Sequence, residues 1–411
     1  FDMDETCTRG TYLFEATAAE WDGTNYRLSF DEGQTATLSV DNLGPGLRLS
    51  LVHDDANWAP YAFLRVSVAE DEEFYGLGEQ FETVGQRGQV RAMQIELTAM
   101  ESAYNEAHVP IPLLVSSANW GLLVDSFRPG VVDAAGTNPE AVEVMFQQKD
   151  GDFSVDLYAP ERSSLVTGRY WQRTGAPEVP PDWAFAPLQW RNVAASETVI
   201  LDDASTLREL ELPTGVIWVG NPWQTSYDSM QPDEVAFPNW DAMVDTLHAT
   251  GFRFMAWTTP YVEESDPDYT EFSEAGYFIE GAQLFSDFGK LMDLTNPAAQ
   301  AAWEARVTAA KDRGIEGWKL DYGEDVQLGA GGGRMPDWIF ANGEDERTMH
   351  HKFVKYFHAP YANPYRDEGM LLGRAGCIGG QVITDVIWPG DLDNGFERWG
   401  DSGCDDGTCI G

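Results

Sequence analysis

The stretch Trp318-Lys319-Leu320-Asp321-Tyr322-Gly323-Glu324 sets a lysine and two carboxylates at the end of a short apolar run. A second run, Ile387-Trp388-Pro389-Gly390-Asp391, ends in another carboxylate. Trp218 and Trp223 flank the end of a further apolar run, and Trp257 closes one more. Carboxylates among indoles suit a particular chemistry. Sugar rings offer apolar faces that pack on aromatic rings, and hydroxyls that bond charged groups. Breaking a glycosidic bond asks one carboxyl to protonate the leaving oxygen and another to meet the cationic carbon. A carboxyl separation of about 5–5.5 Å goes with retention through a covalent intermediate, and a wider one with inversion. The acid must hold its proton near neutrality, which a hydrophobic wall or a neighbouring carboxylate achieves. In a chain with 68 acidic residues, strand-end carboxylates equally suit a solvated surface, so the pattern alone leaves both readings open.

For these groups to converge they must stand at the C-terminal ends of parallel strands, where α/β barrels collect their reacting side chains. From residue 179 onward the sequence has that rhythm. Apolar runs near Phe185–Trp190, Val216–Val219, Phe252–Trp257, Trp318–Leu320, Met370–Gly373 and Val386–Trp388 read as strands. Between them, Trp240, Met243, Val244 and Leu247 recur at i, i+3, i+4, i+7, with Asn239 as cap and Gly251 as stop. Another helix starts at the cap Asn296 with Pro297 in its first position, buries Trp303, Val307 and Ala310, and ends before Gly314. Six candidate strands fall short of the eight that close a barrel. The barrel is therefore expected to be truncated at its C-terminal end, since an open barrel would expose two long sheet edges. Residues 1–178 differ. Short alternating runs such as Tyr26–Phe30, Ala36–Val40, Leu47–Val52, Phe63–Val68 and Gly121–Val124 carry sandwich spacing, and Gly175–Pro181 reads as a linker. The predicted fold is α/β: a (β/α)8 TIM-type barrel over residues 179–411, with about six strands present, preceded by an N-terminal β-sandwich over residues 1–178.

Composition narrows the partners. The 26 Lys and Arg against 68 Asp and Glu leave a formal charge of −42, which repels nucleic acid and anionic membrane surfaces. No apolar run reaches the roughly 18 residues of a membrane span. At 43% hydrophobic and 12% aromatic the chain can bury large cores, so global disorder is ruled out. Only 6 of the cations are lysines, a balance that suits either salty water or an ordinary acidic secreted protein. Cys404 and Cys409 flank Asp405-Asp406-Gly407-Thr408, a turn that suits a local disulfide; with Cys7 and Cys377 they could equally be four unpaired thiols. The chain starts at Phe1 rather than Met, as after removal of an export signal, so a secreted or periplasmic location is expected.

Weaker motifs carry less. Gly329-Ala330-Gly331-Gly332-Gly333-Arg334 lacks the ending of a phosphate loop and reads as a mobile loop. His350, His351 and His358 lie on a predicted helix without a carboxylate at supporting spacing, which favours a core or surface role over metal. Asp391-Leu392-Asp393-Asn394-Gly395 lacks the bidentate glutamate of a calcium loop, and Asp401, Asp405 and Asp406 are only a weak calcium candidate. No metal or cofactor is expected.

Several segments together resemble glycoside hydrolase family 31, the retaining α-glycosidases, over most of residues 60–400. Phe74-Tyr75-Gly76-Leu77-Gly78-Glu79-Gln80 resembles the family's N-terminal loop that reaches the active site, and Pro180-Pro181-Trp183 its barrel entry. Ile217-Trp218-Val219-Gly220-Asn221-Pro222-Trp223 resembles its second-strand segment. Gly317–Glu324 is similar to the nucleophile motif; Arg374-Ala375-Gly376 with Trp388-Pro389-Gly390-Asp391 is similar to the motif joining a substrate-binding arginine to the acid/base. The resemblance implies Asp321 as nucleophile and Asp391 as general acid/base. It implies Arg374 as a hydrogen-bonding partner of sugar hydroxyls. Lys319, on the same strand face as Asp321, would bond a ring hydroxyl or keep the nucleophile ionised. Trp257, Trp388 and Trp218 would wall a pocket for a carbohydrate, with Glu79, Gln80 and Asn221 at its margin. A pocket with one closed end implies exo action. Two departures matter: Gly220 falls where the family commonly carries an aspartate that binds distal sugar hydroxyls, and the last two barrel strands, a pocket histidine and the C-terminal β domains are not in this sequence. They leave a second reading, a non-catalytic carbohydrate-binding or structural surface protein on a glycosidase scaffold.

Overall fold

The computed structural model describes residues 15–31, 33–55, 61–80, 83–95, 107–148, 151–281, 288–324, 326, 338–366 and 368–389. They fall into two compact units. One runs to Ala176 and takes in Cys377–Gly379; the other comprises Pro177–Gly376 and Gly380–Pro389.

The first unit holds two antiparallel sheets. The larger has eight strands in the order Ala18–Trp21, Tyr26–Ser29, Thr35–Asn42, Gly46–His53, Asp152–Tyr158, Gly121–Val124, Pro110–Ser116 and Phe74–Gly78. The smaller has four, Tyr61–Ser67, Ala141–Gln147, Gly130–Ala134 and Gln89–Met93. Leu114, Leu122, Val124 and Val155 from the larger sheet share a buried core with Ala62, Val132, Val142, Val144 and Phe146 from the smaller. Successive strand residues point to opposite faces, so one apolar row from each sheet meets in the middle. A helix at Val166–Thr174 interrupts what the sequence reads as uniform β structure; it buries Val166 and Tyr170 against Leu113, Leu123 and Tyr158. The strand Phe74–Gly78 ends in a tight approach that only glycine permits. A Cβ on Gly78 would stand 2.0 Å from the Val109 carbonyl oxygen, and its φ is 87°.

The second unit is built on six parallel strands, hydrogen-bonded in chain order. They are β1 (Leu188–Arg191), β2 (Val216–Val219), β3 (Arg253–Thr258), β4 (Gly317–Leu320), β5 (Met370–Gly373) and β6 (Val386–Ile387). Helices α1 (Glu197–Glu209), α2 (Trp240–Ala249), α3 (Pro297–Asp312) and α4 (Glu346–Tyr365) follow β1, β2, β3 and β4. Ile217, Val219, Phe254, Ala256, Trp318, Leu320 and Leu371 pack on one side against apolar residues of all four helices. The alternate residues Val216, Trp218, Met255, Met370 and Leu372 form a separate cluster with Leu188, Trp257, Val386 and Trp388. Helices coat the outside of a β/α barrel, so this second cluster marks the inner face. The architecture is six strands of a TIM-type barrel.

Local signals explain most boundaries. Asn296 accepts a hydrogen bond from the Ala298 N–H at 2.9 Å, and Pro297 opens α3. Asn239 occupies the cap position of α2, but its side chain instead donates to Glu197 at 2.8 Å. The first strand starts at Leu188 rather than Phe185. Asp182–Phe185 forms a 3-10 turn, and Pro187 lacks the N–H a strand would use. Trp223 is fully buried on the helix-covered side, not at the mouth of β2. His350, His351 and His358 are all buried on α4; His350 Nδ1 lies 2.7 Å from the Val326 carbonyl and His358 Nδ1 2.9 Å from Thr384 Oγ1. Cys377 is buried. Cys7, Cys404, Cys409, the glycine-rich stretch 329–334 and the acidic residues from Asp391 onward lie outside the described residues. Among the described residues no helix is long and apolar enough to cross a membrane, and no three His, Cys, Asp or Glu side chains gather as a metal site.

Candidate active site

Asp321 follows the last residue of β4 and, by alternation with Lys319, faces inward. Its backbone N–H donates to the Thr258 carbonyl at 2.9 Å, tying it to the end of β3. Its carboxylate accepts from Trp257 Nε1 at 2.7 Å on Oδ2, and from Lys319 Nζ at 3.0 Å and Arg374 Nη1 at 3.5 Å on Oδ1. Burial alone would push this carboxyl up. The Lys319 and Arg374 charges, with the Trp257 and Lys319 hydrogen bonds, overcome that and hold it below the ordinary carboxylate range. The group is therefore ionised at neutral pH, nearly enclosed, and aimed by three donors.

Lys319 is fully buried, and burial brings its ammonium down to about 8 against the opposing pull of Asp321. Its Nζ sits 3.3 Å from the centre of the Trp388 ring, a cation–π contact that helps hold the charge away from water. Arg374 follows β5. Its Nε lies 2.9 Å from Glu324 and its guanidinium 5.2 Å from the Tyr322 ring centre, so one face of the fork is already engaged by protein. Tyr322 and Gly323, at φ 62° and 93°, turn the chain back after Asp321 and bring Glu324 to Arg374. His358, neutral because burial and then the Lys319 charge bring it down to about 3, adds no competing cation.

The inner-face tryptophans extend this centre. Trp218 stacks on Trp190 with ring centres 5.1 Å apart and planes within 9°. Trp257 packs edge-on to Tyr227 and Phe288. Gly220, at the end of β2, has no room for a side chain: a Cβ there would stand 2.5 Å from the Asn192 carbonyl oxygen.

The structure thus brings together Asp321, Lys319, Arg374, Trp257 and Trp388, and puts Trp218 in the same inner-face cluster. Asn221 follows Gly220, and its side chain accepts from Gln224 at 3.2 Å. Glu79 and Gln80 belong to the first unit, just past Phe74–Gly78; burial pushes the Glu79 carboxyl up to about 7. Asp391 lies outside the described residues. Trp190 was not among the expected site residues, and Glu324, one of the two carboxylates of the strand-end motif, had no role assigned to it. Glu324 stands in the quoted motif, but its ion pair with Arg374 depends on the turn at Tyr322. Trp190 was legible from the alternation Leu188, Trp190 on an inner strand face.

Comparison with known proteins agrees with this architecture. Residues 177–402 match the glycosyl hydrolases family 31 TIM-barrel domain, and residues 3–133 match the glycosyl hydrolase 31 N-terminal galactose mutarotase-like domain. The chain is 26% identical to the alpha-xylosidase XylQ of Lactiplantibacillus pentosus over 74% of its own length and 40% of that protein's. It is 27% identical to a sulfoquinovosidase of Agrobacterium fabrum, covering 97% of this chain and 63% of the relative. In fold it is similar to a GH31 family sulfoquinovosidase from E. rectale, solved with an aza-sugar inhibitor: the TM-score is 0.79 at 19% identity, over 94% of this chain and 62% of that one. The chain thus spans less than two thirds of the length of these proteins. With the matched barrel domain covering more than half its residues, the chain belongs to glycosyl hydrolase family 31.

Proposed function

We propose that this protein hydrolyses α-glycosides from a terminal sugar, with retention of anomeric configuration. The observation that carries the reading is the Asp321 carboxylate, enclosed yet kept ionised by Lys319 and Arg374 and oriented by Trp257. In the first step an Asp321 oxygen forms a bond to the anomeric carbon as the glycosidic C–O bond breaks, and Asp391 gives its proton to the departing oxygen. In the second, Asp391 takes a proton from water, whose oxygen bonds to the same carbon while the ester to Asp321 breaks. The free sugar leaves with its original configuration. Arg374 supplies directed donors to ring hydroxyls. The inner-face tryptophans offer flat apolar surface to the ring. The relatives named above make xylose and sulfoquinovose the first sugars to try. The absence of a side chain at Gly220, enforced by the Asn192 carbonyl, removes one place where a carboxylate would meet distal hydroxyls.

The test is hydrolysis of aryl α-glycosides of glucose, galactose, xylose and sulfoquinovose. At least one is expected to turn over, with activity abolished in Asp321→Ala. Turnover of none, or turnover indifferent to that substitution, defeats the proposal; sugar binding without cleavage would point to the non-catalytic alternative.

A further inference from the structure

Asp228 lies in the loop after β2 with no exposed surface, and the chemistry above makes no use of it. Burying a carboxylate is costly unless every lone pair is engaged. Here they are engaged by one short segment. Asp228 Oδ1 accepts from the Thr258 hydroxyl at 2.8 Å and from the Thr259 N–H at 2.8 Å, and Oδ2 accepts from the Thr259 hydroxyl. Thr258 ends β3, and Thr259 is the next residue.

The same segment holds Asp321 twice over. Trp257 donates to its side chain and the Thr258 carbonyl accepts its backbone N–H. Asp228 is itself fixed from behind. Arg306 of α3 donates to the Asp228 carbonyl at 3.0 Å while its guanidinium is held by Asp266, at 3.1 and 2.6 Å, and by Asp268 at 2.8 Å. Tyr361 of α4 lies 3.0 Å from the Thr258 hydroxyl and accepts from Trp303 at 2.9 Å. Because the Thr258 proton points to Asp228, the Tyr361 hydroxyl is the donor to Thr258.

We propose that Asp228 is a positioning residue for glycoside cleavage: its buried carboxylate pins Trp257–Thr259, and that segment sets the place and direction of the Asp321 carboxylate. The inference rests on Asp321 acting as the nucleophile. Hydrogen bonds to the ionised form are shorter and stronger than those to the neutral acid, so the pinning is firmest above about pH 7, where Asp228 is mostly charged. Burial pushes the Asp228 carboxyl up to about 7, with the Thr259 and Thr258 hydrogen bonds and the Arg306 charge opposing it.

One consequence separates positioning from general support of the fold. The groups facing Asp321 are Lys319 on its own strand, Arg374 from β5 with Glu324 behind it, and Trp257 from β3. Those facing Asp228 are Thr258 and Thr259 from the end of β3, Arg306 from α3 and, through Thr258, Tyr361 from α4. Among the groups that bond the Asp321 carboxylate itself, Trp257 is the one on the segment that Asp228 holds. Loosening it weakens a bond that favours the ionised nucleophile, so the acidic limb of kcat/KM must move to higher pH.

The experiment measures kcat/KM against pH for the full chain and its Asp228→Ala, Thr258→Val, Trp257→Phe and Asp228→Ala/Trp257→Phe variants, on the aryl α-glycoside that the parent cleaves best. Each single variant is expected to move the acidic limb upward and to lower kcat about tenfold, a barrier change of about 1.4 kcal/mol, with KM little changed. The double variant is expected to shift no further than Trp257→Phe alone, since neighbours acting through one contact are not additive. Thr258→Val keeps the residue's shape and decides the matter if Asp228→Ala does not fold. An active parent with unshifted limbs in Thr258→Val and Asp228→Ala, or fully additive effects, overturns this inference and leaves the functional reading standing. A parent that cleaves no α-glycoside removes both.

Discussion

Asp321 shows how several weak influences decide one protonation state. Desolvation favours the neutral acid, and two cations and an indole N–H outweigh it. Lys319 is the nearer cation, so replacing it has a definite sign. With Lys319→Met, the Asp321 carboxyl titrates higher and the acidic limb of kcat/KM moves upward by about one to three pH units. A pH–rate profile that keeps its acidic limb would show that Arg374 and Trp257 suffice. The sequence made this cluster legible because Lys319, Asp321 and Arg374 sit in short motifs at strand ends, where alternation fixes their direction. It gave no comparable warning of Asp228. Thr225-Ser226-Tyr227-Asp228-Ser229 reads as an ordinary polar turn, and only the folded chain shows that its carboxylate is buried beneath Thr258 and Thr259.

At the scale of elements, periodicity carried the reading. The alternation in Val216–Val219 and Arg253–Thr258 divides cleanly between a helix-facing and an inner row, and the i, i+3, i+4, i+7 series of α2 is its buried face. Where the reading failed, a local competitor won. Pro187 and the turn before it delayed β1, and Glu197 took the Asn239 side chain that would have capped α2. Trp223 shows the limit of proximity in sequence: it follows the second strand closely, yet the loop turns it into the outer core beside Trp240 and Trp318. The helix Val166–Thr174 was missed because it is a short amphipathic segment in a region whose rhythm is otherwise that of strands.

For the whole molecule the governing number is the formal charge of −42. Self-repulsion among surface carboxylates opposes the compact state, and salt screens it over a Debye length of about 8 Å at physiological strength and about 3 Å at 1 M. The thermal midpoint is therefore expected to rise as sodium chloride increases from about 0.05 to about 1 M; a flat or falling series would show that self-repulsion among the carboxylates does not limit the stability of the fold. The central claim concerns chemistry, and one measurement reaches it directly. The full chain is incubated with an activated fluorosugar α-glycoside whose glycosyl-enzyme breaks down slowly, then digested and mapped by mass spectrometry. The expected result is a single glycosyl ester on Asp321, absent from Asp321→Ala. A label on another carboxylate, or none at all while the unmodified glycoside is being turned over, would contradict the account.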